Sequence, residues 1–214
     1  MAQPSCHWSA TASPIADTAD HLGLACRAVA TPDERAAHFR IRHQVFVVEQ
    51  GLFRRGGGDR DSHDDEPATI HVVGLADGVI CGTVRLYPVP AVAGRWKGDR
   101  LAVLAGQRHQ GLGTPLVRFA VAAAALHGGL EMEAYIQPAN VAFFEWLGWR
   151  RSGGPVDYAG IPHQRMLILL GAPPLSAEPP AGACPGTARH AAEVSRRQAA
   201  RTSPAGARPA GPGS

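Results

Sequence analysis

The stretch Leu101–His127 constrains this chain more than any other part of it. An apolar run (Leu101-Ala102-Val103-Leu104-Ala105) leads into Arg108-His109-Gln110-Gly111-Leu112-Gly113. An alanine-rich segment, Thr114–His127, follows and ends at Gly128-Gly129. A short apolar run bounded by turn residues reads as a buried strand. The alanine-rich segment reads as a helix stopped by its C-terminal glycines. Glycines let backbone amides approach a ligand with no Cβ in the way. The helix N-terminus adds unpaired N–H groups and the positive end of a dipole, and Arg108 adds a positive charge. The turn therefore suits a phosphate or pyrophosphate. A P-loop is excluded because it needs a lysine after its last glycine, and the only lysine of the chain is Lys97. A dinucleotide fingerprint is excluded because its third glycine would fall on Leu116.

Elements alternate around this unit. Leu24–Val29 reads as a first strand. Thr31-Pro32-Asp33-Glu34 opens a helix, with Thr31 as cap, Pro32 in the first turn and Glu34 closing a capping box. That helix runs to His43 or beyond on Phe39, Val45 and Phe46. Residues 54–66 read as a polar, glycine-rich loop. Ile70–Leu75 and Val79–Leu86 read as a hairpin about Asp77-Gly78. Trp96–Leu104 and Leu130–Ile136 are further strands, Ala139–Leu147 is a short helix, and Trp149–Arg151 with Arg165–Leu170 is a last strand pair. A hairpin region followed by β-turn-α-β-α-β predicts an α+β protein with a mixed sheet rather than a fully parallel one.

Composition narrows the function. At 214 residues and 45% hydrophobic the chain can bury one sizeable core. Residues 1–20 and 172–214 are rich in Ala, Ser, Pro and Gly and poor in large apolar side chains, which predicts flexible tails around one domain at 21–171. The net charge of +3 is carried by the C-terminal tail, where Arg189, Arg196, Arg197, Arg201 and Arg208 outnumber Glu178 and Glu193. A balanced domain gives no nucleic-acid-binding face. Cys6, Cys26, Cys81 and Cys184 lack disulfide or zinc spacing. No run approaches the roughly 18 apolar residues of a membrane span, and the N-terminus has no basic start and apolar middle. The expectation is a cytoplasmic protein without nucleic-acid or membrane partners, acting as monomer or homodimer.

The segment Leu101–Gly113, with its L-x-V strand and its R-x-x-G-x-G turn, resembles the acetyl-CoA signature of the GNAT acetyltransferase superfamily. Asn140-Val141-Ala142-Phe143-Phe144-Glu145-Trp146-Leu147-Gly148-Trp149 is similar to that superfamily's N…FY…LGF segment. Arg42-x-x-Val45-Phe46-Val47-x-Glu49-Gln50, Gly82–Leu86 and Gly160-Ile161-Pro162-His163 resemble a bacterial subset, and the first of these, with Asp59-x-Asp61, resembles acetyltransferases linked to nitrogen starvation. The resemblance implies an α/β/α-layered GNAT fold with splayed central strands. It also implies direct acetyl transfer from acetyl-CoA to the amine of a small metabolite, with no metal. Leu101, Ala102 and Val103 would hold the pantetheine arm by their backbone. The amides of His109, Gln110, Gly111, Leu112, Gly113 and Thr114, with the Arg108 charge, would hold the pyrophosphate, and Asn140 and Phe143 would flank the cofactor. The Val103 N–H would polarise the thioester.

Three departures stand out. Phe144 replaces the usual tyrosine donor to the leaving thiolate, His109 replaces the first glycine, and Ala105 replaces a proline. Candidate acid–base groups are His163, Tyr135, Tyr158 and Glu49. Asp59, Asp61, His63, Asp64 and Asp65 have metal-ligand chemistry but read as a solvated loop, with the further use of attracting a cationic amine. Arg85 is expected to pair within the sheet or with that loop. Glu131 and Glu133 are either cleft residues or edge charges. Two rival readings remain. One is an acyl-homoserine-lactone synthase, using an acylated carrier protein and S-adenosylmethionine, against which the intact CoA turn counts. The other is a non-catalytic acyl-CoA-binding regulator.

Overall fold

A computed structural model describes residues 23–53, 58–158 and 160–171. The expected tails at 1–20 and 172–214 lie outside them. Among the described residues the order is β1 (Leu24–Ala28), α1 (Pro32–Arg42), a π-helical continuation (His43–Glu49), a 3-10 turn (Ser62–Asp65), β2 (Ile70–Ala76), β3 (Val79–Pro88), β4 (Arg95–Val103), a 3-10 turn (Ala105–Gln110), α2 (Gly113–Leu126), β5 (Glu131–Ile136), α3 (Val141–Trp146), β6 (Arg150–Tyr158) and β7 (Ile161–Leu169). The seven strands form one sheet in the order β1-β2-β3-β4-β5-β7-β6. Only β4 and β5 run parallel, so the sheet is mixed and mostly antiparallel, as expected.

Local chemistry explains the elements. Glu34 N–H donates to Thr31 Oγ1 at 3.2 Å while the Glu34 carboxylate accepts from Thr31 N–H, which completes the capping box. The hairpin between β2 and β3 turns on Asp77 (φ +49°) and Gly78 (φ +78°), the paired left-handed residues of a type I′ turn. Side chains alternate across the sheet. Val72, Ala76, Val84 and Leu86 join Leu116, Phe119 and Ala120 of α2 in one apolar core. Gly74 and Gly82 lie under Leu112 and Leu116, and a Cβ on Gly82 would meet both leucines at 2.8 Å, so α2 rests directly on the backbone. The opposite face, under α1, holds a small apolar cluster (Ile41, Val45, Phe46, Ala102) and a set of buried charges.

Two expectations are corrected. The acidic loop is solvated only in part: Asp65 is exposed and Asp61 and His63 are partly so, but Asp59 and Asp64 are buried, 3% and 1% exposed. Arg42 Nε donates to Asp59 Oδ2 at 2.5 Å and its Nη1 to Asp64 Oδ1 at 2.5 Å. Arg85, itself fully buried, makes a two-pronged bond to Asp99 at 2.8 and 2.7 Å and reaches Asp61 at 2.6 Å and Asp64 at 2.7 Å. Arg85 thus pairs both within the sheet and with the loop. The last strand pair also runs longer than expected, through Ser152–Tyr158 and Ile161–Gln164. Gly153-Gly154-Pro155 imitates a loop in the sequence; it sits at a register shift between Arg151 and Pro155 that lets β6 bend and rejoin β7.

Candidate active site

The site originates in β4. Its ladder with β5 covers only Arg95–Lys97 against Glu131–Glu133. Beyond those pairs, β4 bonds β3 alone and β5 bonds β7 alone. Between Asp99 and Ala102, β4 carries one residue more than the facing stretch of β3. Within this bulge Arg100 adopts φ +53°, a left-handed conformation that an arginine holds only when its surroundings impose it. Its surroundings do so: Nη2 donates to Asp61 at 2.9 Å, Nη1 to Tyr158 Oη at 2.9 Å, and Nε to Asp59 O at 3.1 Å. The extra residue reverses the facing of β4, so that Trp96 points to the α2 core and Ala102 to the α1 cluster. The two central strands splay.

The gap is a cavity of about 130 Å³. Val117, Met132, Ala134, Phe144 and Trp149 line it on the α2 side. Phe46, Phe53, Lys97, Arg100, Tyr135, Tyr158 and His163 line it on the other. Gln137 Nε2 donates to Gln50 Oε1 at 3.0 Å, joining the end of β5 to the end of the π-helical segment.

The glycine turn sits at the open end of β4. Gly111 has φ +79° and faces open space, so it is glycine for its conformation. Gly113 is different. Its φ is ordinary, and a Cβ there would meet only Phe143 at 3.7 Å, an ordinary contact. Nothing in the fold demands glycine at 113, which fits a ligand passing close to the backbone. The first turn of α2 has no side-chain cap, so its N–H groups suit an anion. The Gly111 and Thr114 amides already donate within the turn, each at 3.2 Å, to Arg108 O and Gly111 O. Leu104 N–H is spent on Cys81 O of β3. By strand alternation from Leu104, the Val103 N–H points to the open side, where Val103 O accepts from Arg108 Nε at 3.0 Å. The residues present therefore fit the arm and pyrophosphate of an acyl-CoA.

Several expected site residues land elsewhere. The Arg108 guanidinium is not free for a phosphate: Nε donates to Val103 O at 3.0 Å and Nη2 meets Glu49 Oε1 at 2.5 Å. That pair ties the turn to β4 and to the π-helical segment, and Glu49 does not line the cavity. Phe143 is 1% exposed and packs in the core; Phe144 lines the cavity in its place. Leu112 is fully buried, which leaves only its backbone for a ligand. His109 is exposed and Gln110 Nε2 donates to Gln107 Oε1 at 2.6 Å. Asn140 lines the cavity at the start of α3. Glu131 and Glu133 are ion-pair partners of Arg95 and Arg165 and lie outside the cavity.

His163 and Tyr135 do line it, and Tyr158 joins them. His163 is 5% exposed, and its Nδ1 lies 3.0 Å from Ile161 O. A carbonyl only accepts, so Nδ1 carries the proton and Nε2 keeps a lone pair. The Tyr135 and Tyr158 rings are parallel, with centroids 6.2 Å apart, and Tyr158 stands edge-on to His163 at 5.3 Å. Sequence reasoning missed Lys97, Asp99, Arg100 and Phe53. They belong to no motif, and only the bulge and the turn at Phe53 (φ +59°) gather them. Burial by itself would raise the carboxyls of Asp61 and Asp64. Hydrogen bonds and charge from Arg85 on the first and Arg42 on the second overcome it and hold both below the usual carboxylate range.

Known proteins share this fold. Residues 29–149 match the model of the acetyltransferase (GNAT) family. An acyl-CoA N-acyltransferase from Pseudomonas aeruginosa is 25% identical and superposes with a TM-score of 0.57 over 67% of this chain and 97% of that one. The CoA-dependent acyl-homoserine lactone synthase BjaI (20% identity, TM-score 0.59, 70% and 85% covered) and FeeM, an N-acyl amino acid synthase from uncultured soil microbes (14%, 0.58, 70% and 92%), share the fold. The isovaleryl-homoserine lactone synthase of Bradyrhizobium diazoefficiens is 43% identical over 54 residues, so the chain matches about a quarter (24%) of that relative's length. With more than half its length inside the family model and a cleft between its splayed central strands, this chain belongs to the acetyltransferase (GNAT) family of acyltransferases.

Proposed function

We propose that the protein is an acetyl-CoA-dependent N-acetyltransferase that acts on the amine of a small metabolite by direct transfer. The carrying observation is the cavity itself. It runs between the splayed strands, is lined by Leu101 of β4, Val117 of α2 and Asn140 at the start of α3, and reaches His163, Tyr135 and Tyr158. No cysteine or serine lines it among the described residues, so an acyl-enzyme on either has no place in the route. The neutral amine attacks the thioester carbonyl, a C–N bond forms, and the C–S bond breaks. His163 Nε2 takes the proton the amine loses. The thiolate leaves with the bonding pair and is protonated by Tyr135, because Phe144 has no hydroxyl. Val103 N–H polarises the carbonyl, Leu101 at the cavity wall flanks the arm, and the amides of Leu112 and Gly113 meet the pyrophosphate. Asn140 flanks the arm. The resemblance to nitrogen-starvation acetyltransferases supports an acceptor drawn from nitrogen metabolism. Isothermal titration with acetyl-CoA, followed by thiol release over a panel of amines, tests the reading. It fails if acetyl-CoA and CoA do not bind.

A second reading is favoured by one observation, the local 43% identity to a homoserine-lactone synthase. The intact CoA turn does not count against it, since BjaI is a CoA-dependent synthase. The Lys97 ammonium, which occupies the face of the Tyr135 ring at 4.9 Å, suits a sulfonium cation poorly. S-adenosylmethionine in the same thiol-release assay decides between the two.

A further inference from the structure

The charges of the cavity describe the acceptor. Arg100, Asp99, Lys97 and His163 are the titratable side chains at its polar end, with Tyr135 and Tyr158. Asp99 is engaged by Arg85 at 2.7 Å and lies 3.6 Å from Arg100. Arg100 spends its guanidinium on Asp61, the Asp59 carbonyl and Tyr158. Glu133 is the register neighbour of Lys97 on β5, but its carboxylate is held by Arg165 at 2.7 Å. The remaining acidic side chains of that face, Asp59 and Asp64, are bonded to Arg42. Among the described residues, Lys97 therefore has no carboxylate within salt-bridge reach. Its ammonium rests 4.9 Å from the Tyr135 centroid and 6.0 Å from that of Tyr158. Two rings hold the cation at the cavity wall, and they leave its hydrogen-bond donors unmatched.

An unmatched ammonium in a partly buried cavity disfavours a cationic ligand and favours an anionic one. It also favours the neutral form of an amine placed beside it, which is the form that attacks. We propose that the acceptor is an amine that also carries a carboxylate, an amino acid or a close relative, and that Lys97 is the partner of that carboxylate. This inference rests on the acyltransferase reading above. The chemistry balances as R–NH₂ plus acyl-thioester giving R–NH–acyl plus CoA thiol, with the carboxylate unchanged throughout.

The test is thiol release with amino acids and with their carboxamides, which differ in the charge at the carboxyl end and in amine basicity, so kcat/KM is compared per neutral amine. The wild-type protein should prefer the acids by about tenfold or more in kcat/KM, the size of one charge-assisted contact of about 1.4 kcal/mol. In Lys97→Met the acid-to-amide ratio should fall toward one, through KM for the acid, with CoA affinity intact by titration. Lys97→Arg should restore much of the ratio. A wild-type preference for amides or for plain alkylamines overturns the proposal. So does an equal loss on acid and amide in Lys97→Met, since that places Lys97 in the chemistry rather than in recognition. If amino acids are not turned over, their binding to the CoA-loaded protein is measured by titration, and failure to bind likewise overturns it. Failure to bind CoA at all is a distinct result that brings down the acyltransferase reading itself.

Discussion

At the scale of single residues, the cavity separates groups that can move a proton from groups that only hold position. His163 is the clearest of the first kind, because its Nδ1–H is committed to Ile161 O and Nε2 is left as an acceptor. Replacing it with Asn keeps an N–H donor but removes the base. His163→Asn should lower kcat by about 10²–10⁴-fold, the usual contribution of a positioned acid–base group, while CoA affinity stays at the wild-type value. Steady-state kinetics paired with titration checks this, and an unchanged kcat would remove His163 from the mechanism. Glu49 belongs to the second kind. Its carboxylate is bound to Arg108 at a half-exposed site, where it holds the turn against the π-helical segment.

At the scale of elements, the glycine turn offers a way to separate folding from ligand approach. Gly111 needs its left-handed φ, so Gly111→Ala should cost about 1–2 kcal/mol of stability. Gly113 has an ordinary φ and room for a methyl group. Gly113→Ala should leave the melting temperature unchanged and weaken CoA by about tenfold, which is about 1.4 kcal/mol. Calorimetric melting and titration of both variants read the contrast; equal CoA affinity in wild type and Gly113→Ala would show that no ligand passes close there. The same element marks what the sequence made legible. Strand, turn and helix around Leu101–Leu126 were readable because capping, apolar runs and glycine punctuation are local. The β4 bulge was not readable. Arg100 carries no local cue to a positive φ, and the partners that impose it, at Asp59, Asp61 and Tyr158, lie 41, 39 and 58 residues away. Asp59 and Asp64 misled for the same reason, since aspartates in a polar run read as solvated until Arg42 and Arg85 are found opposite them. The glycine turn with its flanking strand and helix, one contiguous segment, was legible, whereas the polar end of the cavity is assembled by topology.

At the scale of the whole molecule, the buried polar layer under α1 sets how the fold responds to acid. His38 and His71 lie at its centre, 0% and 6% exposed, with ring centroids 4.8 Å apart. His38 Nδ1 is 3.1 Å from Val72 O and His71 Nε2 is 3.0 Å from Asp64 O, so each ring spends its one proton on a carbonyl. The remaining nitrogens face each other at 3.2 Å. Burial first, then the Arg42 cation and the neighbouring ring, push His38 down to about 3, and burial lowers His71 as well. A histidine whose folded pKa lies below its unfolded value binds more protons when unfolded. Its stabilising effect is complete above about pH 6.5 and is lost as pH falls toward the folded value, at up to about 1.4 kcal/mol per pH unit for each ring. Asp61 and Asp64 are depressed carboxylates, and their contribution disappears only below the unfolded carboxylate value near 3.9. Between about pH 6.5 and 4.5 the histidines therefore act first. Unfolding free energy from urea titrations should decline steadily across that interval. In His38→Asn, which keeps a donor for Val72 O, the slope should be visibly shallower although the variant is less stable at neutral pH. A flat profile in the wild-type protein would mean that the two facing nitrogens already share a proton, converting a lone-pair contact into an N–H···N bond and leaving the layer with one more positive charge than neutral rings give it.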